Sequence, residues 1–294
     1  MNFYTFFCIK STKLLDNSLI GEYTTLVPNK NYIIKGELIM KKLTKCLVIL
    51  LAVAMLFALG ACGGGEEGGG DEAEKLVMAT NAAFPPYEYI ENDQIVGIDA
   101  EIAKAVGEKL GKEVVIEDME FGSIIAAVQS GKADFGLAGM TITEDRLKSV
   151  NFSTSYATGI QSIIVTADSK IKSIDDIGAQ KALIGVQQDT TGDIYATDEF
   201  GEDVMNRFNK GADAVQALVT GKLQCVIIDN EPAKAFVEAN EGLVIIDTPY
   251  AVEEYAMAIA KDNTEFLEEV NTAIAELQAD GTIDAIIEKY IPTK

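Results

Sequence analysis

The chain of 294 residues contains no histidine, which removes the Ser-His-Asp and Cys-His nucleophile arrangements and the usual zinc ligands. No CxxC pair, phosphate-cradling P-loop or GxGxxG stands in their place. Carboxylate pairs such as Asp175-Asp176 and Glu253-Glu254 abound in so acidic a chain and read as solvated faces. Cys225 sits in the apolar run Cys225-Val226-Ile227-Ile228, the setting of a buried structural thiol. With bond-making machinery missing, two short loops attract notice, Gly139-Met140-Thr141 and Asp229-Asn230-Glu231. Each follows an apolar run and is rich in small or polar residues.

Those loops are placed by an alternation of β-rich and helical segments. Strands are expected at Leu76 to Thr80, Val114 to Ile116 and Phe135 to Ala138, with helices at Ala100 to Leu110 and Ser123 to Gln129. Ile98, Ile102, Val106 and Leu110 recur every four residues and keep one apolar stripe against a sheet. Such alternation predicts an α/β fold with mainly parallel strands. A weak echo follows: Ile125-Ala126-Ala127-Val128-Gln129-Ser130-Gly131-Lys132 is matched by Val215-Gln216-Ala217-Leu218-Val219-Thr220-Gly221-Lys222, each ahead of a strand. One unit is built twice, and in both copies the helix ends at glycine. Ligands of open α/β sheets bind beyond the carboxyl ends of strands, so the two loops would face each other across a cleft between lobes. The C-terminal stretch supplies a strand, Tyr255 to Ala260, a helix from about Glu265 to Leu277, a turn at Asp280-Gly281 and a helix from Ile283 to Tyr290.

The first stretch of chain reads as processing signal. Met40 is followed by Lys41, Lys42 and Lys45, an apolar run from Leu47 to Leu59, then Gly60-Ala61-Cys62. The run is shorter than the roughly 20 residues a bilayer span needs. It resembles the lipobox of bacterial lipoproteins, which implies cleavage before Cys62 and a lipid on its thiol; an uncleaved anchor helix is the alternative. Residues 1–39 precede this complete signal and read as a misannotated upstream extension, 40–61 as the signal peptide, and the glycine-rich 62–74 as a flexible tether. The whole chain carries a formal charge of −22; residues 1–61 hold seven lysines and three acids, so the remainder is at −26. That balance argues against a nucleic-acid partner.

Five collinear motifs between residues 75 and 293 then carry a specific likeness. They are Asn81-Ala82-Ala83-Phe84-Pro85-Pro86-Tyr87-Glu88-Tyr89, Val96-Gly97-Ile98-Asp99, Gly139-Met140-Thr141-Ile142-Thr143-Glu144-Asp145-Arg146, Asn151-Phe152-Ser153 and Ala279-Asp280-Gly281-Thr282. With them the chain resembles the polar amino-acid binding proteins of ABC importers, solute-binding protein family 3. The resemblance implies a two-lobed periplasmic-binding-protein type II fold with two hinge strands, expected near 156–164 and 247–256, with lobe 1 from 75–160 and 252–294 and lobe 2 from 161–251.

Carried over residue by residue, Arg146 matches the arginine that grips the ligand α-carboxylate, a task suited to its planar fork; from spacing it could instead pair with Glu144 or Asp145. Thr191 matches a helix-start position whose N–H also holds the carboxylate, and it or Thr190 could serve only as an N-cap. Asp229 matches the acceptor of the α-ammonium, with Gly139 and Thr141 completing that clasp; otherwise Asp229 caps the helix beginning near Glu231. Phe84 and Phe121 match the aromatic pair that sandwiches the side chain in some members, or are plain core. Three departures touch specificity: Asn81 stands where Asp is common in binders of basic side chains, Gly122 replaces a common Asp, and Asp189 stands where many members have Gly.

The expected function is therefore binding without catalysis and without a cofactor. The ligand would be a free L-amino acid, polar or basic and possibly cystine, delivered to an ABC permease with its ATPase. The site would be extracytoplasmic, on a membrane-held lipoprotein. The alternatives are a secreted dehydratase-like enzyme of the same fold and an amino-acid sensor domain.

Overall fold

The computed structural model describes residues 74–246 and 250–292. The expected upstream extension, the signal peptide, Cys62 and the tether up to residue 73 lie outside the described residues, as does 247–249 of the second expected hinge.

In the first sheet, β1 (Lys75–Thr80) lies parallel between β5 (Glu113–Asp118) and β6 (Phe135–Gly136); β14 (Ala258–Ala260) then runs antiparallel to β6 and to the edge strand β7 (Val150–Phe152). In the second, β9 (Ile184–Gln187) is parallel to β10 (Met205–Phe208) and β11 (Cys225–Asp229), while β8 (Ala157–Thr166) is antiparallel to β11, β12 (Leu243–Ile245) and β13 (Ala251–Tyr255). A small antiparallel meander of β2 (Ala83–Phe84), β3 (Glu88–Glu91) and β4 (Gln94–Val96) flanks the first sheet's helix α1 (Ile98–Leu110). Parallel pairing is thus confined to β5-β1-β6 and β10-β9-β11, fewer pairs than the sequence pattern predicts. Chain returning from the other lobe inserts beside these parallel sets and runs against them.

β8 and β13 are the paired strands that join the two sheets. β13 meets the start of β8, with Tyr255 opposite Ala157, and β8 then continues beside β11. The single strand expected from Tyr255 to Ala260 is two, because the chain leaves one sheet at Tyr255 and enters the other at Ala258. Likewise the strand expected to reach Ala138 stops at Gly136.

Burial explains the helical stripe: Ile98, Ile102 and Val106 are at most 1% exposed, while Leu110 packs at the cluster's edge. Each such side chain contributes roughly 1.5–3 kcal/mol by leaving water. The internal echo is visible in the backbone. α2 (Ile124–Gln129) and α6 (Gly211–Val219) are both followed by a left-handed glycine, Gly131 at φ 71° and Gly221 at φ 73°, where L side chains are disfavoured. Both close with the same bond, Lys132 N–H to Ala127 O and Lys222 N–H to Ala217 O, each 3.0 Å. The remaining helices are α3 (Glu144–Ser149), α4 (Ile174–Gln180), α5 (Thr191–Phe200), α7 (Asn230–Ala239), α8 (Thr264–Ala279) and α9 (Thr282–Tyr290). Among the described residues, no helix is long and apolar enough to cross a membrane.

Candidate functional site

A narrow cavity of about 10 Å³ lies where the carboxyl ends of the two sheets meet. Asn81, Phe84, Phe121, Gly139, Thr141, Arg146, Thr191 and Asp229 all line it, so the eight residues singled out in the sequence share one site. The wall is completed by Glu88, Ala138, Gln187 and Thr190.

Arg146 is reached through α3, whose N-cap Thr143 accepts from the Arg146 N–H. Its side chain is 8% exposed and packs over the Phe121 ring, 5.2 Å from the centroid. Nη1 donates to Thr141 O at 2.9 Å and Nη2 crosses the cleft to Asp189 O at 3.1 Å. The surface ion pair left open by the sequence is not formed, since Asp145 pairs with Lys148. Among the described residues no carboxylate lies within ion-pair distance of Arg146. Burial pushes its pKa down, opposed by the charges of Glu253, Asp229 and Asp189.

Asp229 stands on the other wall at the end of β11, 6% exposed. It occupies the N-cap position of α7, yet its side chain makes no cap bond. Gln161 Nε2 donates to its Oδ2 at 2.8 Å, and the Tyr255 hydroxyl donates to Oδ1. Burial raises its pKa to about 8, reinforced by the negative charge of Glu253. Thr190 provides the cap of α5, accepting from the Asp193 N–H at 3.3 Å. Thr191 is the first helical residue and is buried, so the positive end of α5 faces the same cavity as Arg146. A buried guanidinium, a helix N-terminus and a buried acid thus ring one space, an arrangement that suits a zwitterion.

The specificity positions are also built in. Asn81 donates through Nδ2 to Met119 O at 2.7 Å and accepts from Gln187 Nε2 across the cleft at 2.8 Å. The Gly139 N–H donates to Asp99 Oδ2 at 2.7 Å, which holds the loop carrying Thr141. Asp189 takes φ 64°, the left-handed geometry that glycine would adopt freely, so the loop shape survives the departure. Its carboxylate lies over Gly122: a Cβ there would sit 2.2 Å from Asp189 Oδ2. The two departures are therefore neighbours across the cleft, and the missing side chain at 122 leaves the room that Asp189 fills. Cys225 is fully buried, and burial pushes its thiol up to about 12.

Several residues of the site carry no role in the sequence reading. Gln161 on β8 donates to both Asp229 and, at 3.0 Å, to Glu253 on β13, joining the two connecting strands to the cavity wall. Glu88, Asp99 and Gln187 are equally hidden in sequence. The one available signal was position: Glu88 and Asp99 are charged residues inside otherwise apolar or aromatic motifs.

Comparison with known proteins agrees with this architecture. The model of the bacterial extracellular solute-binding proteins, family 3, matches residues 76–293. An arginine-binding extracellular protein of Bacillus subtilis (strain 168) is 35% identical over 253 residues, covering 84% of this chain and 97% of that one. Among solved structures, an ancestral arginine-binding protein bound to glutamine has a TM-score of 0.71 and 37% identity over 74% of this chain and 98% of that one. An ancestral arginine-binding protein bound to arginine gives 0.68 and 38%, over 74% and 97%. These relatives are named as binding proteins and not as enzymes. The chain belongs to family 3 of the bacterial extracellular solute-binding proteins.

Proposed function

We propose that this protein is the extracytoplasmic binding subunit of an ABC importer and captures a free polar or basic L-amino acid between its lobes. The observation that carries the reading is the pair of buried groups on opposite walls of one cavity, Arg146 without a carboxylate partner and Asp229. A buried charge is retained when something engages it, and a free amino acid offers one group for each. In this reading Arg146 and the first N–H groups of α5 take the α-carboxylate. Asp229, the Gly139 carbonyl and the Thr141 hydroxyl take the α-ammonium. Phe84 and Phe121 flank the side chain, and Asn81 meets its end. β8 and β13 act as hinges, so that each charge is desolvated only as the other is engaged. The names of the relatives support ligands of this class, arginine and glutamine among them.

Delivery is to a membrane permease served by a cytoplasmic ATPase, with the protein held at the membrane by a lipid on Cys62. A thermal-shift screen of the twenty amino acids plus cystine tests the ligand class. One of them at large excess should add about 3–4 kcal/mol of stability, and a flat screen would remove the amino-acid reading. Incorporation of labelled fatty acid, lost in Cys62→Ala, tests the anchor.

A further inference from the structure

The chain holds two arginines among its 24 basic residues, Arg146 and Arg207. Both border one groove of about 580 Å³, which shares Phe121 and Arg146 with the cavity and runs between α2 and α3 of the first lobe and α5 of the second. Arg146 is assigned to the ligand carboxylate, which leaves Arg207 to be explained. It stands on β10, opposite Val186 of β9, and its whole fork is occupied. Nε donates to both oxygens of Asp193, at 2.8 and 2.9 Å. Nη1 donates to Glu202 Oε2 at 2.7 Å, and Nη2 to Glu202 Oε1 at 3.1 Å and to the Thr197 hydroxyl at 2.9 Å. A lysine, with one point charge and no plane, cannot span these three partners.

Asp193 is the reason such a grip is needed here. It is the third residue of α5, its side chain is 7% exposed, and its Oδ2 accepts from the Asp189 N–H at 3.1 Å. The carbonyl of that same Asp189 accepts from Arg146 Nη2. A single residue thus separates a buried carboxylate from the guanidinium assigned to the ligand carboxylate. The first turn of a helix attracts anions to its free N–H groups, and an acid built into that turn competes with one that arrives from solution. Arg207 decides the competition, because an opposite charge in contact cancels most of the field of Asp193. Glu202, the second acid on the fork, has a side chain 67% exposed, and water screens it.

We propose that Arg207 is a positioning residue for carboxylate capture: it neutralises Asp193, and through Asp193 it holds the Asp189 turn, so that the start of α5 receives the ligand α-carboxylate and does not repel it. This inference rests on the amino-acid reading above and adds a residue that touches no ligand. Every free amino acid presents the same carboxylate. Arg207 therefore acts on all ligands alike and takes no part in ranking their side chains. The two arginines divide one task, Arg146 binding the anion and Arg207 silencing its competitor.

Calorimetry on the purified protein with arginine and with glutamine tests this, alongside thermal unfolding of each variant. Arg207→Gln should weaken both ligands by the same factor, about tenfold or more. Asp193→Asn in the Arg207→Gln background should restore binding to within about threefold of wild type, although every hydrogen bond of the arginine is still missing. Asp193→Asn alone, whose amide oxygen can still accept from the Asp189 N–H, should tighten both ligands by about threefold. A role confined to structure gives the reverse: no rescue in the double variant, and weaker binding in Asp193→Asn. Either of those results overturns the role of Arg207 and leaves the amino-acid reading standing, as does an Arg207→Gln protein that binds like wild type or loses one ligand and keeps the other. Should Arg207→Gln fail to fold, Asp193→Asn alone decides: tighter binding upholds the proposal, and equal or weaker binding overturns it. Failure of the wild-type protein to bind any of the twenty amino acids overturns the amino-acid reading, and this proposal with it.

Discussion

The two copies of the helix–glycine–strand unit share a backbone and end in opposite chemistry. After Gly131 the chain passes through β6 into a loop whose N–H is fastened to Asp99, and the charge that reaches the cavity, Arg146, arrives only with α3. After Gly221 it passes through β11 and the charge is the strand's own last residue, Asp229, held by Gln161 and Tyr255. A repeated unit therefore supplies two facing strand ends, and the two charges, one at a strand end and one on a later helix, are of opposite sign. The lesson is that position in this site comes from the repeat, and polarity from what departs from it.

The comparison is broken most directly by removing either charge. Arg146→Ala and Asp229→Ala should each weaken every ligand by at least about tenfold to a hundredfold, because a charge-assisted bond is worth roughly 1.5–3 kcal/mol and its partner is left buried. Calorimetry on a folded Arg146→Ala protein that binds as tightly as wild type would sink the carboxylate assignment. Next in size is the contact between the walls. Gly122→Asp forces a side chain into the space of the Asp189 carboxylate and sets like charges together, so closure and affinity should suffer by about tenfold. Asp189→Gly in that background should restore binding, and a double variant no better than the single one would show that the two positions do not compensate.

Proton linkage sharpens the contrast further. Asp99 at about 6 and Asp229 at about 8 hold their protons more tightly folded than unfolded. Their contribution to stability is complete below the unfolded carboxylate range, near pH 4, and is lost as pH rises through 6 and 8. Without added amino acid the melting temperature should therefore fall by roughly 10 °C or more between pH 5 and 8. Asp229→Asn should flatten the upper half of that fall, and a wild-type profile that rises over this window would contradict the assignment. The acids whose pKa values are lowered, such as the half-buried Asp176 and the exposed Asp280, act below this window. Phe121→Ala should mainly reorder ligands, with changes of about 1 kcal/mol that differ between side chains. The smallest effect tests the repeat itself. Gly131→Ala and Gly221→Ala meet open space, so each should cost about 1 kcal/mol of stability through backbone strain alone, equally in both copies and with affinity unchanged in denaturant and binding titrations.

Residue type and order alone determined the class of fold and the repeated unit, and the family resemblance named eight residues that line one cavity. Apolar periodicity and glycine stops are local signals, and the motif order from Asn81 to Thr282 is linear information. Only the tertiary structure decided which alternatives hold at each position. Arg146 faces the cleft and not its neighbours on α3, Asp229 sits at a cap position without capping, and Asp189 fills the space above Gly122. The burial of polar groups around the cavity was likewise settled there. Glu88 and Asp99, and Gln161 and Glu253, are separated along the chain and indistinguishable in type from the many solvated acids and amides around them. Their significance comes from being buried together, because desolvation depends on what surrounds a polar group, which sequence neighbours do not specify.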